Sequence, residues 1–540
     1  MKLMKILPIA ALLLTTIGLA TADDGNNQWR TISPRQKLSA VEAAIKGYYV
    51  DTVDENKIVE AAIVSMLNEL DPHSVYSDQE ETKALTEPLD GNFSGIGIQY
   101  NMQTDTVYVL QTIAGGPCEK VGILPGDKII EVNDTVIAGK KLKTSDVVKR
   151  LRGPKGSMVK VKVIRRGAVG LIEFHITRDD IPINSIDAAY MVDDKTGYVR
   201  INKFARSTGE EFEKALKKLK KHGMKQLILD LTDNGGGYLD AACQLANEFL
   251  QKNELMVYTQ GRAKPRADMF ANGFGRFRKE KVVIMVNQFS ASASEILSGA
   301  LQDWDRAPIV GRRTFGKGLV QHPIVFPDGT MMRLTIARYY TPAGRSIQKP
   351  YKKGDKESYE NDLIDRYNHG EMNSADSTSF NEAMKFTTLK KKRTVFGGGG
   401  IMPDVFVPLD TTKYSDYYRD LMAKGIPNKI MLDYIDANRA NLKKQYKDMV
   451  VFNKEFTVSE ELLQTLIKEG EKEKVKFNEE QYNTSKHVIT TILKGLVARD
   501  IFGTEAYFYV VNNLNDIYLE AVKLINDEER FDNIVYTEKK

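Results

Sequence analysis

Cysteine, tryptophan and histidine are scarce in this chain, at two, two and six among 540 residues. Two cysteines exclude a scaffold built on disulfides and a cysteine-rich metal centre. Cys118 and Cys243 fall in segments of different character and neither has a histidine beside it, so both are expected to be buried, unpaired thiols. The histidines, His73, His175, His222, His322, His369 and His487, form no triad pattern with any serine run. His73 has no second histidine, cysteine or carboxylate cluster nearby and reads as a turn residue, so no metal site is expected. Charge of one sign is lacking too: 77 Lys and Arg against 72 Asp and Glu leave +5, too mild over this length to point to nucleic acid. What remains is ample for folding. Hydrophobic residues at 42% and charged residues at 28% exclude disorder, collagen and a coiled-coil rod, and 540 residues divide into roughly three to four domains of ~150.

The first 22 residues carry Lys2 and Lys5, an apolar run from Ile6 to Ala20, and Ala20-Thr21-Ala22 before Asp23-Asp24. This is the pattern of a cleaved secretory signal peptide. As a membrane anchor the run is short of the ~20 residues needed, no cysteine follows to carry a lipid, and no later segment reaches that length. Losing Lys2 and Lys5 takes the charge from +5 to +3. The mature chain is expected to be exported, periplasmic if bacterial or else extracellular, with no stable membrane anchor.

Four blocks follow. From 23 to 90, apolar residues at helical spacing (Leu38, Val41, Ile45, Tyr48, then Ile58 to Leu67) predict a helical pair capped by Ser33-Pro34, with a turn at Asp71-Pro72-His73. From 91 to 180, short alternating strands, glycine turns and a helix over 144–151 surround Val121-Gly122-Ile123-Leu124-Pro125-Gly126-Asp127. This order resembles a PDZ domain. In that family a loop such as Gly95-Ile96-Gly97-Ile98 binds the terminal carboxylate of an extended peptide through backbone N–H groups; read alone, two glycines make only a hairpin. From 181 to 410, strand, polar turn and helix recur twice, which predicts an α/β layer structure, with a polar stretch at about 349–396 read as a solvated insertion. From 411 to 540, apolar stripes and a capping box at Thr457-Val458-Ser459-Glu460 predict a helical domain, with contact between copies of the chain left open.

Chemistry gathers in two turns and one lysine. Ser290-Ala291-Ser292-Ala293-Ser294-Glu295 stands before a helix, whose free N–H groups favour a developing anion. Any of the three serines is a candidate nucleophile, and equally a plain N-cap. Without a histidine, the base falls to Lys317 in Thr314-Phe315-Gly316-Lys317-Gly318. At an ordinary pKa near 10.4 about one lysine in 2,500 is neutral at pH 7, so burial must lower it by several units. Gly311 to Lys317 also matches Gly-x-x-x-x-Gly-Lys, but Gly318 stands where a phosphate loop needs Ser or Thr. Gly235-Gly236-Gly237 lacks the dinucleotide fingerprint and suits an oxyanion better.

Together these residues resemble the C-terminal processing, or tail-specific, peptidases: Ser-Lys serine proteases with a PDZ domain inserted before a crotonase-like α/β core. The resemblance covers about 35 to 408 and also rests on Leu70-Asp71-Pro72-His73-Ser74, Leu229-Asp230-Leu231, Val320-Gln321 and Gly399-Gly400-Ile401-Met402-Pro403-Asp404. It implies Ser292 as nucleophile, Lys317 as base, Gln321 as the amide that orients the lysine, and the N–H groups of Gly236 and Ala293 as the oxyanion hole. Glu295 and Asp303 would be supporting hydrogen-bond partners, or else a helix-start acid and a solvent-facing one. The family turn Arg-x-Asn-Pro-Gly-Gly is here Thr232-Asp233-Asn234-Gly235-Gly236-Gly237, which leaves the source of its rigidity open. Cys118 and Val121 replace small alanines in the PDZ block, a change of packing rather than of binding. The implied activity is endoproteolysis of exported proteins with free, unstructured C-terminal tails, without metal or organic cofactor. A homo-oligomer or an adaptor protein is left open. A non-catalytic peptide-binding scaffold on the same fold is the alternative, disfavoured by the retention of both Ser292 and Lys317.

Overall fold

The computed structural model describes residues 31–535 apart from 104, 114 and 379–381. The expected signal peptide lies outside them. No helix among the described residues is long and apolar enough to cross a membrane.

Two compact units emerge, 1–66 and 67–540. In the first, Ser33 caps the helix Pro34–Tyr48 in a reciprocal box with Gln36, as its Ser-Pro start predicts. That helix buries none of its residues, so the stripe of Leu38 and Val41 is uncovered.

The second unit is organised around a six-stranded sheet: Ile186–Met191, Thr196–Ile201, Gln226–Asp230, Lys281–Val286, Ile309–Gly311 and Val405–Phe406, in that spatial order. The first pair is antiparallel and the rest parallel. Alternation along the strands splits the core in two. Leu227, Leu229, Ile284 and Val286 pack under Thr208–Lys221, Leu239–Phe249 and Ala293–Asp303. Ile228, Val283, Met285 and Val310 face the other way, onto Ile517, Tyr518, Ala521 and Leu524 of Asp516–Asn526. The last helices thus complete the core of this sheet instead of belonging to a separate helical domain. Helices between 416 and 511 do share a core of their own around Phe452, Leu466, Leu493 and Val497. Its helix Glu460–Lys472 is capped by Ser459 alone, two residues beyond the expected Thr457.

Strands between 98 and 177 form a separate six-stranded sheet with its own apolar core, which includes Cys118. The helical region touches it: Gln111 Nε2 donates to Arg499 O at 2.7 Å and Arg166 lies 3.5 Å from Asp436. Both cysteines are free and buried, as expected, and burial pushes each thiol up to about 12.

The stretch 349–396 is not a solvated insertion. Lys349, Tyr359, Arg366 and Glu371 are buried, and Arg366 and Arg313 share the Glu371 carboxylate. The basic run is folded back as well, with Arg393 on Asp305 at 2.8 Å and Lys390 on Glu254 at 2.8 Å.

Gly311 closes the fifth strand with φ 133°, and a Cβ there would lie 1.9 Å from Val286 O. Gly311→Ala is therefore expected to cost more than about 3 kcal/mol, read as a lowered denaturant midpoint.

Candidate active site

Parallel strands place the turns at their carboxyl ends side by side. Gln226–Asp230 and Lys281–Val286 are neighbours, and Ile309–Gly311 follows, so three consecutive turns share one edge. They are 232–237 with the glycines, 287–292 with the serines, and 312–318 with the lysine.

The first turn is held without the family's arginine and proline. Asn234 is fully buried; its Nδ2 donates to Ile201 O and its Oδ1 accepts Gly236 N–H, both at 2.8 Å. Its backbone oxygen accepts from Ala291 N–H and Ser294 Oγ, which ties this turn to the serine turn. Arg200 brings a guanidinium from the adjacent strand to Asp230 and Thr232, each at 2.7 Å. Gly236, at φ 104°, lies so close that a Cβ would stand 2.7 Å from Ser292 Cβ and 3.0 Å from Ala293 N. Gly236, Ser292 and Ala293 are thus brought together, although Gly236 N–H is engaged by Asn234 at rest.

The three serines separate clearly. Ser290 and Ser294 have no exposure and donate to Leu231 O and Asn234 O at 2.8 and 2.9 Å. Ser292 keeps partial exposure and sits at φ 57°, a strained backbone for a non-glycine residue, immediately before Ala293–Asp303. Ala293 is the first residue of that helix, so its N–H has no intrahelical acceptor.

Glu295 joins this turn to the lysine turn. Its Oε2 accepts Ser292 N–H at 2.8 Å and Lys317 N–H at 2.9 Å; its Oε1 accepts Gly316 N–H at 2.7 Å and Thr314 Oγ1 at 2.5 Å. All four partners are donors, the pattern of an ionised carboxylate. Burial pushes the group up to about 7 against them. The N–H groups of the phosphate-loop look-alike are therefore spent on a carboxylate. Tyr339 stands at the same seam, its hydroxyl beside both Ser292 O and Lys317 O, either of which can accept its one proton. Burial, aided by the Arg333 charge and opposed by Glu295 and Asp71, lowers Lys317 to about 8.

Gln321 Nε2 donates to Leu319 O at 3.1 Å and lies 3.5 Å from Thr335 Oγ1 on the strand Met331–Tyr340. One expectation changes. Asp303 is neither solvent-facing nor near the serine: it is fully buried at the far end of its helix, paired with Arg345.

Residues 195–357 match peptidase family S41, 94–176 the PDZ domain, 16–81 the activating protease CtpB N-terminal domain, and 417–503 a family of unknown function. A carboxy-terminal-processing protease of Bartonella bacilliformis is 36% identical over 337 residues, 62% of this chain and 76% of that one. The carboxy-terminal processing protease CtpA of Bacillus subtilis is 34% identical over 350 residues, 65% of this chain and 72% of that one. A solved structure, the photosystem II D1 C-terminal processing protease, aligns at 26% identity and TM-score 0.35 over 70% of this chain and 94% of its own. The chain belongs to the carboxy-terminal processing proteases of peptidase family S41. It is a serine-type peptidase carrying a PDZ domain, and the scaffold alternative is not favoured.

In this processing protease the glycine loop lies between Asn92–Gly95 and Ile98–Gln103. Ile96 O and Gly97 O accept from Cys118 N–H and Ile113 N–H, which directs both carbonyls into the domain. Sequence reasoning missed the cation beside it. Arg152 lies over the Phe93 ring at 4.2 Å and on Glu87 at 2.5 Å, and a Cβ on Gly95 would meet its Cγ at 3.8 Å. Arg152 ends a helix that the pattern did predict, and only the fold brings it to the loop. Asn234 and Tyr339 were missed as well, since an amide or a phenol without charge or period gives no signal.

Proposed function

We propose that this protease is an exported endopeptidase in which Ser292 is the nucleophile and Lys317 the general base. The observation that carries the reading is the join through Glu295, with Tyr339 at the same seam, between the backbone of Ser292 and that of Lys317. Neutral Lys317 takes the hydroxyl proton as Ser292 Oγ bonds to the scissile carbonyl carbon. The oxyanion is received by Ala293 N–H and by Gly236 N–H, which leaves Asn234 Oδ1 to do so. The lysine then returns its proton to the leaving amine, and water repeats the cycle on the acyl-enzyme. The chain's own residues supply every step. Gln321, on the strand that follows the lysine turn and with its amide near Thr335 Oγ1, orients the lysine.

Substrates are exported proteins with free, poorly structured C-terminal tails. The tail carboxylate is held by the loop Gly95-Ile96-Gly97-Ile98, with the chain added to the edge strand Ile98–Gln103. Export rests on the leader-like Met1–Ala22, and periplasmic residence follows if the source is bacterial. An unfolded test protein offered with a free or an amidated carboxyl end checks the tail reading. Amidation is expected to raise KM about 10- to 100-fold, the worth of a charge-assisted bond set. Equal cleavage of both forms would remove tail capture from the account.

A further inference from the structure

The Asp71-Pro72-His73-Ser74 turn has so far been left without a function, and residues 349–371 reach the lysine loop from the other side. Tyr359 is where the two meet. Its hydroxyl lies 2.9 Å from His73 Nε2, with the rings edge to face at 5.1 Å, and it accepts from Gln348 Nε2 at 3.2 Å. Gln348 Oε1 accepts Gly318 N–H at 2.8 Å, and Lys349 N–H donates to Gly316 O at 2.9 Å, so both flanks of Lys317 are held. Lys349 Nζ lies 4.2 Å over the Phe315 ring and 4.0 Å over the Tyr359 ring, bonded to Asp362 at 2.9 Å. Arg366 adds two bonds to the carbonyls of Arg313 and Thr314.

With Gln348 Oε1 committed to Gly318, its NH2 faces Tyr359, and the phenol proton is available to His73 Nε2. With the imidazole neutral and its proton on Nδ1, His73 accepts it. Burial and the Lys317 charge act the same way, holding the imidazole down to about 3. On the far side of the turn, Asp71 accepts from Thr335 Oγ1 at 3.0 Å, and Thr335 in turn meets Gln321.

We infer that the chain Gln348–Tyr359–His73 is the brace that holds the Lys317 loop against the serine turn, and that Tyr359 is a positioning residue for the base. This rests on the reading of Lys317 as the base. Without the brace the loop loosens, water reaches the lysine, and the charges now facing it (Glu295, Asp71, Arg333) act through a wetter site. Its neutral fraction at a given pH falls.

The test is Tyr359→Phe, with kcat, KM, the pH profile and the melting temperature measured on an unfolded test protein. The expected result is kcat lowered about tenfold at unchanged KM, with the rising limb of kcat/KM displaced to higher pH. His73→Gln, which keeps an acceptor for the phenol, should retain more activity than His73→Leu, and this pair decides if Tyr359→Phe does not fold. Wild-type kcat and pH midpoint in Tyr359→Phe would overturn the brace. So would activity falling only in step with melting temperature, with the midpoint unmoved and the two His73 variants alike. Lys317→Ala in the same assay separates the two ideas: if it is inactive, the Tyr359 result judges the brace alone. If it cleaves like the wild type, the base assignment fails and the brace with it.

Discussion

Ser292→Ala abolishes cleavage, with kcat down by a factor of about 10⁴ or more and binding of the tail intact. The size follows from the loss of the covalent route, since no other hydroxyl is placed to replace it. Ser290 and Ser294 are sealed from water and committed to Leu231 O and Asn234 O. Their alanine variants supply the contrast. Each removes one of the two hydrogen bonds to a buried carbonyl and should cost roughly 0.5–1.5 kcal/mol of stability, with kcat per folded molecule far less affected. If Ser290→Ala or Ser294→Ala gave the full catalytic loss in a protein of normal stability, the nucleophile would be misassigned.

The second large effect is at Lys317. Lys317→Arg keeps the positive charge and much of the reach, yet a guanidinium holds its proton throughout the working range, so kcat should fall about as far as in Lys317→Ala, by roughly 10³ or more. A residue needed only for its charge would tolerate arginine. Stability should move the other way. With the folded pKa at about 8 and the ordinary value at 10.5, the unfolded chain binds the extra proton between these limits. Stability therefore rises with pH across that window, and below it the buried ammonium costs on the order of 3 kcal/mol. Lys317→Met should thus be inactive but more stable at neutral pH, its advantage shrinking as pH climbs from 8 to 10.5. Denaturant midpoints at pH 7 and above 9 measure both signs.

The site was legible because its chemistry sits in strand–turn–helix units. An apolar run followed by small polar residues marks a turn at a sheet edge whatever lies around it, and this located the glycine and serine turns; the choice of Gly236, Ser292 and Ala293 within them came from the family resemblance. What holds those turns was not legible. Asn234 and Tyr339 act through single amide or hydroxyl bonds that leave no period in a sequence. Residues 349–371 misled for a stronger reason: Arg366, Glu371 and Lys349 are the residue types of a solvated surface, and only their mutual pairing with Arg313 and Asp362 lets them be buried. Asp303 was open between a hydrogen-bond partner and a solvent-facing acid, because its partner Arg345 stands 42 residues along the chain. The helix Asp516–Asn526 had a visible apolar stripe, but periodicity says that a face is covered and not by what. Here the cover is the second face of the protease sheet.

The most direct test of the Ser292–Lys317 account is the rate of covalent labelling of Ser292 by a fluorophosphonate, followed over pH 6 to 11 with the modified peptide identified by mass. Labelling reports the nucleophile and its base without substrate capture by the PDZ domain. The account predicts modification at Ser292 alone, with a rate that rises through a midpoint near 8, the value to which burial lowers Lys317, and that vanishes in Lys317→Met. Labelling at another residue, or at Ser292 with a rate indifferent to Lys317→Met, would contradict it.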